Sequence, residues 1–203
     1  MIRIAVMVSG GGTNLQALLD AEDAGRIPHG KIVLTVGSRE DAFALKRAEK
    51  AEVKTEVISR KKFASTDAFD QAVLACMKEN QIDLIVLAGY LSMVGKPLIE
   101  AYPKRILNIH PSLIPSFCGK GFYGLKVHEA ALARGVKITG ATVHYVNEIT
   151  DGGEILLQKA VKVLPGDTPE VLQRRVMEEA EWQILPEAVK MVSEQLEKEK
   201  NHD

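Results

Sequence analysis

Five short runs rich in Val, Ile and Leu recur through the first 110 residues, at 3–8, 31–37, 54–59, 83–89 and 105–110. They constrain the fold more than any other feature of the chain. The runs show little polar alternation, as expected for strands buried on both faces. Helical patterns fill the intervals at 14–24, 40–51, 66–80 and 96–102. The first is predicted to start at a Thr13-Asn14 cap and stop near Gly25, and the third to start at Ser65 or Thr66. Such a βαβ rhythm predicts an α/β fold: an open, mostly parallel sheet with crossover helices, Rossmann-like in its first half.

The second half changes character. Residues 137–146 alternate more, "EITDGG" turns, and 154–163 follow, which predicts two antiparallel strands joined by a loop. A long C-terminal helix is predicted from Thr168, with Pro169 at its first position, to about residue 199, kinked or broken at Pro186. No internal repeat, linker or composition break divides the chain, so 1–203 is expected to form one domain.

Composition narrows the function classes. With 46% hydrophobic and 26% charged residues the chain reads as an ordinary globular protein. A net charge of -1 with scattered Lys and Arg argues against a nucleic-acid surface. No run approaches the roughly 18 apolar residues of a membrane span, and no secretory signal is apparent. Cys76 and Cys118 alone make neither a disulfide framework nor a zinc site, so a reducing cytoplasm is the expected location.

"VSGGGTNLQALL" places three glycines between the first strand and the first helix. Backbone N–H groups of Gly11, Gly12, Thr13 and Asn14 would face an anion there, aided by the helix dipole. The dinucleotide pattern fails, because Leu15 takes the third glycine's place, and no Gly-Lys-Ser/Thr follows to make a P-loop. A single phosphate fits what remains; a ligand-free tight turn is the plainer alternative.

In "ILNIHPSLIPSFCGKGFYG", Asn108 and His110 stand two apart at a strand's carboxyl end. They share a face, roughly 6 to 7 Å apart, where open α/β sheets gather ligands. An amide donor beside an imidazole suits acyl-type chemistry, the amide holding an oxyanion and the ring handling a proton. Alone, such a histidine is more often a structural hydrogen-bonder. Pro111, the long glycine- and aromatic-rich loop to Gly124, and the isolated Asp151 before Gly152-Gly153 favour a site. Asp151 near His110 would favour the imidazolium; a simple hairpin turn is the other reading of "TDGG".

Together, "SGGGTNLQ", "LAGYL", "NIHPSLIPSF", "GATVHYV", "DGGEILLQ" and "GDTPEVLQRRV" resemble the folate-dependent formyltransferases over nearly the whole chain. The N-terminal glycine loop resembles the phosphoribosylglycinamide formyltransferase branch specifically. The resemblance implies formyl transfer from 10-formyltetrahydrofolate to the amine of 5′-phosphoribosylglycinamide in de novo purine (IMP) biosynthesis, with no metal. It implies a catalytic trio of Asn108, His110 and Asp151. Gly12, Thr13 and Asn14 match the substrate phosphate site, and Glu181 the acid that holds the glycinamide end. Leu91, Ser92, Met93 and Val94 match the stretch bordering the pterin; Asn147, Glu148, Ile149, Thr150 and Asp151 match the loop across it. About 1–105 would then be the phosphate-binding half and about 106–203 the catalytic and folate-binding half.

Two positions depart from the family pattern. Ser92 stands where many relatives carry an arginine, and Thr66 where some have an arginine on the folate tail. Arg60, Lys61 and Lys62 lie close by in sequence and could substitute, a solvated loop being the alternative. His144 is expected to support the trio, whereas His29, His128 and His202 are expected at the surface or in packing. Cys118 is expected as a bystander in the loop and Cys76 in the core. Small-molecule substrates are the expected partners, without nucleic acid or membrane, and a homodimer is compatible.

Rival readings are a formyltetrahydrofolate hydrolase, which would pass the formyl group to water, and a non-catalytic nucleotide-binding module. The phosphate loop counts against the hydrolase. A methionyl-tRNA formyltransferase would need a further RNA-binding domain. An NADP-dependent oxidoreductase reading, with Ser38 and Arg39 on a 2′-phosphate, is weakened by the missing third glycine.

Overall fold

In the structure, a computed structural model, residues 1–201 are described. Strands β1 (Ile2–Val8), β2 (Gly30–Gly37), β3 (Lys54–Val57), β4 (Leu84–Leu87), β5 (Ile106–His110), β6 (Ile138–Tyr145) and β7 (Ile155–Lys162) fall where the apolar runs predict. They form one sheet in the order β3-β2-β1-β4-β5-β6-β7. The pairs from β3 through β5 are parallel, while the β5–β6 and β6–β7 pairs are antiparallel. Strand order reverses between β1 and β4, the switch point beyond which such sheets bind ligands.

Period-two alternation divides the central strands between two cores. Ile4, Val6, Leu84, Val86, Leu107, Ile109, Ala141 and Val143 enter one, with apolar residues from α1 (Thr13–Asp23), α6 (Pro169–Val176) and α7 (Trp182–Lys200). Ala5, Met7, Ile85, Leu87 and Ile106 enter the other, with α3 (Thr66–Glu79) and α4 (Lys96–Ala101). The alternation aims Asn108 and His110 toward this second face, in register with Ile106. Two further helices, α2 (Phe43–Lys50) and α5 (Leu125–Arg134), complete the layers. Sequence patterning left α5 unassigned.

Caps differ from expectation at one helix. Ser65 caps α3, its hydroxyl accepting the Ala68 N–H at 3.1 Å, and Thr168 caps α6. Helix α1 begins differently from the predicted Thr13-Asn14 cap: left-handed Gly12 (φ 73°) is the N-cap, and no side chain caps it. The Thr13 hydroxyl turns instead to Met177 Sδ and the Asn14 amide to Glu181. Both side chains are drawn away by tertiary contacts.

The C-terminal helix is interrupted, but not at Pro186. A π turn (Met177–Glu181) separates α6 from α7, and α7 continues through Pro186. A π turn widens the backbone ring by one residue and often marks a functional position. Here it carries Glu181 inward, so the break falls at the acid rather than at the proline.

Candidate active site

Across the β5–β6 ladder Asn108 stands opposite His144 and His110 opposite Thr142. Directly opposed residues share a face, so four polar side chains collect at the end of β5. His144 Nδ1 lies 2.8 Å from the Tyr145 carbonyl, which can only accept, so Nδ1 carries a proton. Nε2 faces the Asn108 amide nitrogen, which can only donate, at 3.0 Å. One amide N–H is thereby committed, and the amide plane is set. The second N–H is left for another acceptor.

Asp151 reaches the same patch from the β6–β7 loop. Its carboxylate lies 3.6 Å from His110 Nδ1 and 3.7 Å from His144 Nε2, and it accepts the Gly119 N–H at 2.8 Å. Burial works against the charged carboxylate. The His144 and His110 rings and the Gly119 N–H outweigh it and hold Asp151 below its ordinary range. His110 Nε2 donates to the Phe117 carbonyl at 2.9 Å. Two residues of the enclosing loops, Phe117 (φ 51°) and Asp151 (φ 54°), take the left-handed backbone that side chains disfavour. Such strain persists only where surrounding contacts over-determine it, and it concentrates at functional positions.

The glycine loop closes a second patch. The first N–H groups of a helix lack intrahelical acceptors, and at α1 no side chain supplies one. A Cβ on Gly12 would stand 2.5 Å from Ala44 Cβ, so only glycine fits that close approach; Gly10 and Gly11 face open space. Asn14 donates to Glu181 at 2.6 Å, joining residues 167 apart in the chain. Burial raises the Glu181 carboxyl to about 7 against the opposing effect of that bond. Arg47, which sequence reasoning passed over, donates to the Gly11 carbonyl at 2.8 Å. Its position on α2 gave no signal without the fold.

Ser9 knits the strand ends together. Its hydroxyl oxygen accepts the Leu91 N–H at 2.8 Å and the Ser38 hydroxyl at 2.7 Å, so the loops after β1, β2 and β4 share one anchor. Leu91 (64% exposed), Met93 (67%) and Ile149 (68%) leave large apolar side chains uncovered on the two segments matched to the pterin region. Ser92 and Val94 are half-buried between them. The loop from Asn147 to Gly152 is self-braced: Asn147 accepts the Ile149 N–H at 2.9 Å and donates to the Gly152 carbonyl at 3.2 Å. Glu148 and Thr150 are exposed. At the third segment, Arg60 donates to the Thr66 hydroxyl at 3.0 Å, whereas Lys62 pairs with Glu40.

The other histidines separate clearly. His29 contacts Glu197 near the surface, and His202 lies outside the described residues. His128 on α5 is fully buried, and burial, then the nearby His110, push it down to about 4. Cys76 and Cys118 are free and half-buried. Among the described residues no cluster of His, Cys, Asp and Glu is arranged to hold a metal, and no helix is long and apolar enough to cross a membrane.

A family model described as formyl transferase matches residues 2–189. The chain is 39% identical over 194 residues to the chloroplastic phosphoribosylglycinamide formyltransferase of Arabidopsis thaliana, covering 95% of this chain and 66% of that protein. It is likewise 39% identical over 194 residues to phosphoribosylglycinamide formyltransferase of Haemophilus influenzae, covering 96% and 88%. The chain thus spans just under two thirds of the plant relative's length, and 18% of the trifunctional purine biosynthetic protein adenosine-3 of Gallus gallus. The crystal structure of glycinamide ribonucleotide transformylase 1 from Symbiobacterium toebii superposes with a TM-score of 0.90 at 46% identity, over 96% of this chain and 89% of that one. With its mixed sheet, its glycine loop and the Asn108–His110–Asp151 patch, the chain belongs to the formyl transferase family.

Proposed function

We propose that the chain transfers the formyl group of 10-formyltetrahydrofolate to the amine of 5′-phosphoribosylglycinamide, a step of de novo purine biosynthesis. The observation that carries this reading is the convergence of Asp151 on His110 and His144 beside Asn108. The amine attacks the formyl carbon and generates a tetrahedral oxyanion. The uncommitted Asn108 N–H stabilises that charge, as a preorganised donor in a shielded site does, with the His110 ring beside it to handle the proton. The amine then loses a proton and folate N10 gains one, so that the C–N10 bond breaks and tetrahydrofolate leaves. Asp151, ionised and close to both rings, stabilises the positive charge that develops on His110 as it takes up a proton, and passes protons through water. Protonated N10 is a workable leaving group, so the reading requires no metal.

The glycine loop supplies N–H donors for the substrate phosphate, and the Asn14–Glu181 pair holds the glycinamide end. That pair favours transfer to a ribonucleotide over hydrolysis. The uncovered apolar side chains of Leu91, Met93 and Ile149 flank the folate ring. Arg60, held on Thr66 at the start of α3, meets the anionic folate tail in place of the arginine some relatives carry at the Thr66 position.

Mixing the protein with both substrates and following folate release by absorbance tests the reading. Release that depends on the ribonucleotide is expected. Formate release without that dependence would make the chain a hydrolase, and tight binding without turnover a non-catalytic module.

A further inference from the structure

We infer that the Thr142 hydroxyl is a positioning residue for His110, acting through the backbone of residues 112–117. This rests on the role proposed above for His110. Thr142 is fully buried and stands directly opposite His110 on the β5–β6 ladder. Its hydroxyl donates to the Ser112 carbonyl at 2.6 Å and accepts the Ile114 N–H at 3.1 Å and the Gln158 amide at 3.0 Å. One donor and two lone pairs are all a hydroxyl has, so this one is fully used. Two of the three bonds grip the loop within four residues of His110.

The grip is transmitted. Ser112, also fully buried, donates its own hydroxyl to the Ser116 carbonyl at 2.6 Å, and the Ser116 N–H returns to Leu113 at 3.0 Å. The next residue is Phe117, held in the left-handed region with its carbonyl 2.9 Å from His110 Nε2. That carbonyl decides which ring nitrogen carries the proton, because the partner of one imidazole nitrogen sets the tautomer. With Nε2–H committed to Phe117, Nδ1 is the nitrogen that faces Asp151. Gln158 braces the arrangement from β7, its amide bonding both Thr142 and the Ile114 carbonyl at 3.0 Å. A row of cross-strand neighbours, Gln158, Thr142 and His110, therefore carries the loop's geometry to the imidazole.

Thr142→Val keeps the shape and removes the hydroxyl; Thr142→Ser keeps the hydroxyl. For Thr142→Val, kcat for formyl transfer is expected to fall about tenfold or more with little change in either KM, the pattern of a misplaced catalytic group. Thr142→Ser should recover most of that loss. Nitrogen NMR of His110 supplies a readout that a purely structural hydroxyl would not move. The wild type should show the Nε2–H form, and Thr142→Val a mixture of tautomers. If Thr142→Val does not fold, Gln158→Leu removes one of the three bonds and should show the same change to a smaller extent. Thr142→Val with near-normal kcat and an unchanged His110 spectrum would overturn the inference, as would a serine variant as impaired as the valine. A wild type inactive in formyl transfer would count against the proposed function alone, since the NMR comparison needs no turnover.

Discussion

The Asn108 amide nitrogen donates to His144 Nε2 at 3.0 Å, and the other nitrogen of that ring is held by the Tyr145 carbonyl at 2.8 Å. The pair turns a rotatable amide into a fixed donor. Asn108→Ala is expected to lower kcat about 10²- to 10³-fold, the cost of removing one oxyanion donor. His144→Leu leaves the amide in place but frees its rotation, so a smaller loss is expected, with substrate affinity nearly unchanged. Steady-state kinetics of both variants decide it. A His144→Leu enzyme as fast as the wild type would show that the ring does not orient the amide.

His110 and Asp151 should act as a unit. The carboxylate lies 3.6 Å from the ring and is held below its ordinary range, so it stays ionised throughout the neutral region. His110→Ala and Asp151→Asn are both expected to lose kcat far more than ligand affinity. The double variant should be little worse than either one, because residues that serve one proton relay are non-additive. Calorimetric titration with the ribonucleotide and a non-transferable folate, set beside kcat, separates the two quantities. Near-normal kcat in either single variant would remove that residue from the relay.

Much of this was legible before folding, for definite reasons. Strand runs buried on both faces announce a parallel sheet, and a two-residue spacing forces Asn108 and His110 onto one face. What escaped depends on contacts between distant residues. The Asn14–Glu181 bond spans 167 positions, and neither residue carries a local sign of the other. Thr13 and Asn14 read as a cap because their types favour one; tertiary partners took their side chains, and Gly12 became the cap. Helix α5 follows a loop whose three left-handed glycines hid its start. The proline at 186 drew attention from the π turn five residues earlier, which no sequence rule marks.

The glycine loop yields a contrast between neighbours. Gly12 is left-handed, and a Cβ there would stand 2.5 Å from Ala44 Cβ and 2.7 Å from its Cα. Gly12→Ala is therefore expected to destabilise the fold by about 1 to 3 kcal/mol, combining strain with overpacking. At Gly11 a Cβ meets nothing within 4 Å, so Gly11→Ala should leave the melting temperature almost unchanged. If the loop holds the substrate phosphate, the added methyl intrudes on the anion and raises KM for the ribonucleotide alone. Thermal melts and the two KM values test this. A Gly11→Ala protein with unaltered KM would remove the phosphate from that position.

Glu181 and His128 should oppose each other in the pH dependence of stability. Burial raises Glu181 from 4.5 to about 7, so between those values the folded chain holds a proton that the unfolded chain has released. Stability therefore falls as pH rises through that window. His128 is lowered from 6.5 to about 4, so across that range the unfolded chain holds the extra proton and stability rises with pH. Each effect is on the order of 3 kcal/mol at full extent, and the two nearly cancel over the shared interval. Melting temperatures at pH 5 and pH 7 separate them. Relative to the wild type, Glu181→Gln should gain stability on going from pH 5 to pH 7, because only the histidine's slope remains. His128→Leu should lose stability over the same step, because only the glutamate's slope remains. Other titrating groups contribute equally to all three proteins and drop out of the comparison. Two variants that shift in the same direction would mean that one of these buried groups titrates as it does in the unfolded chain.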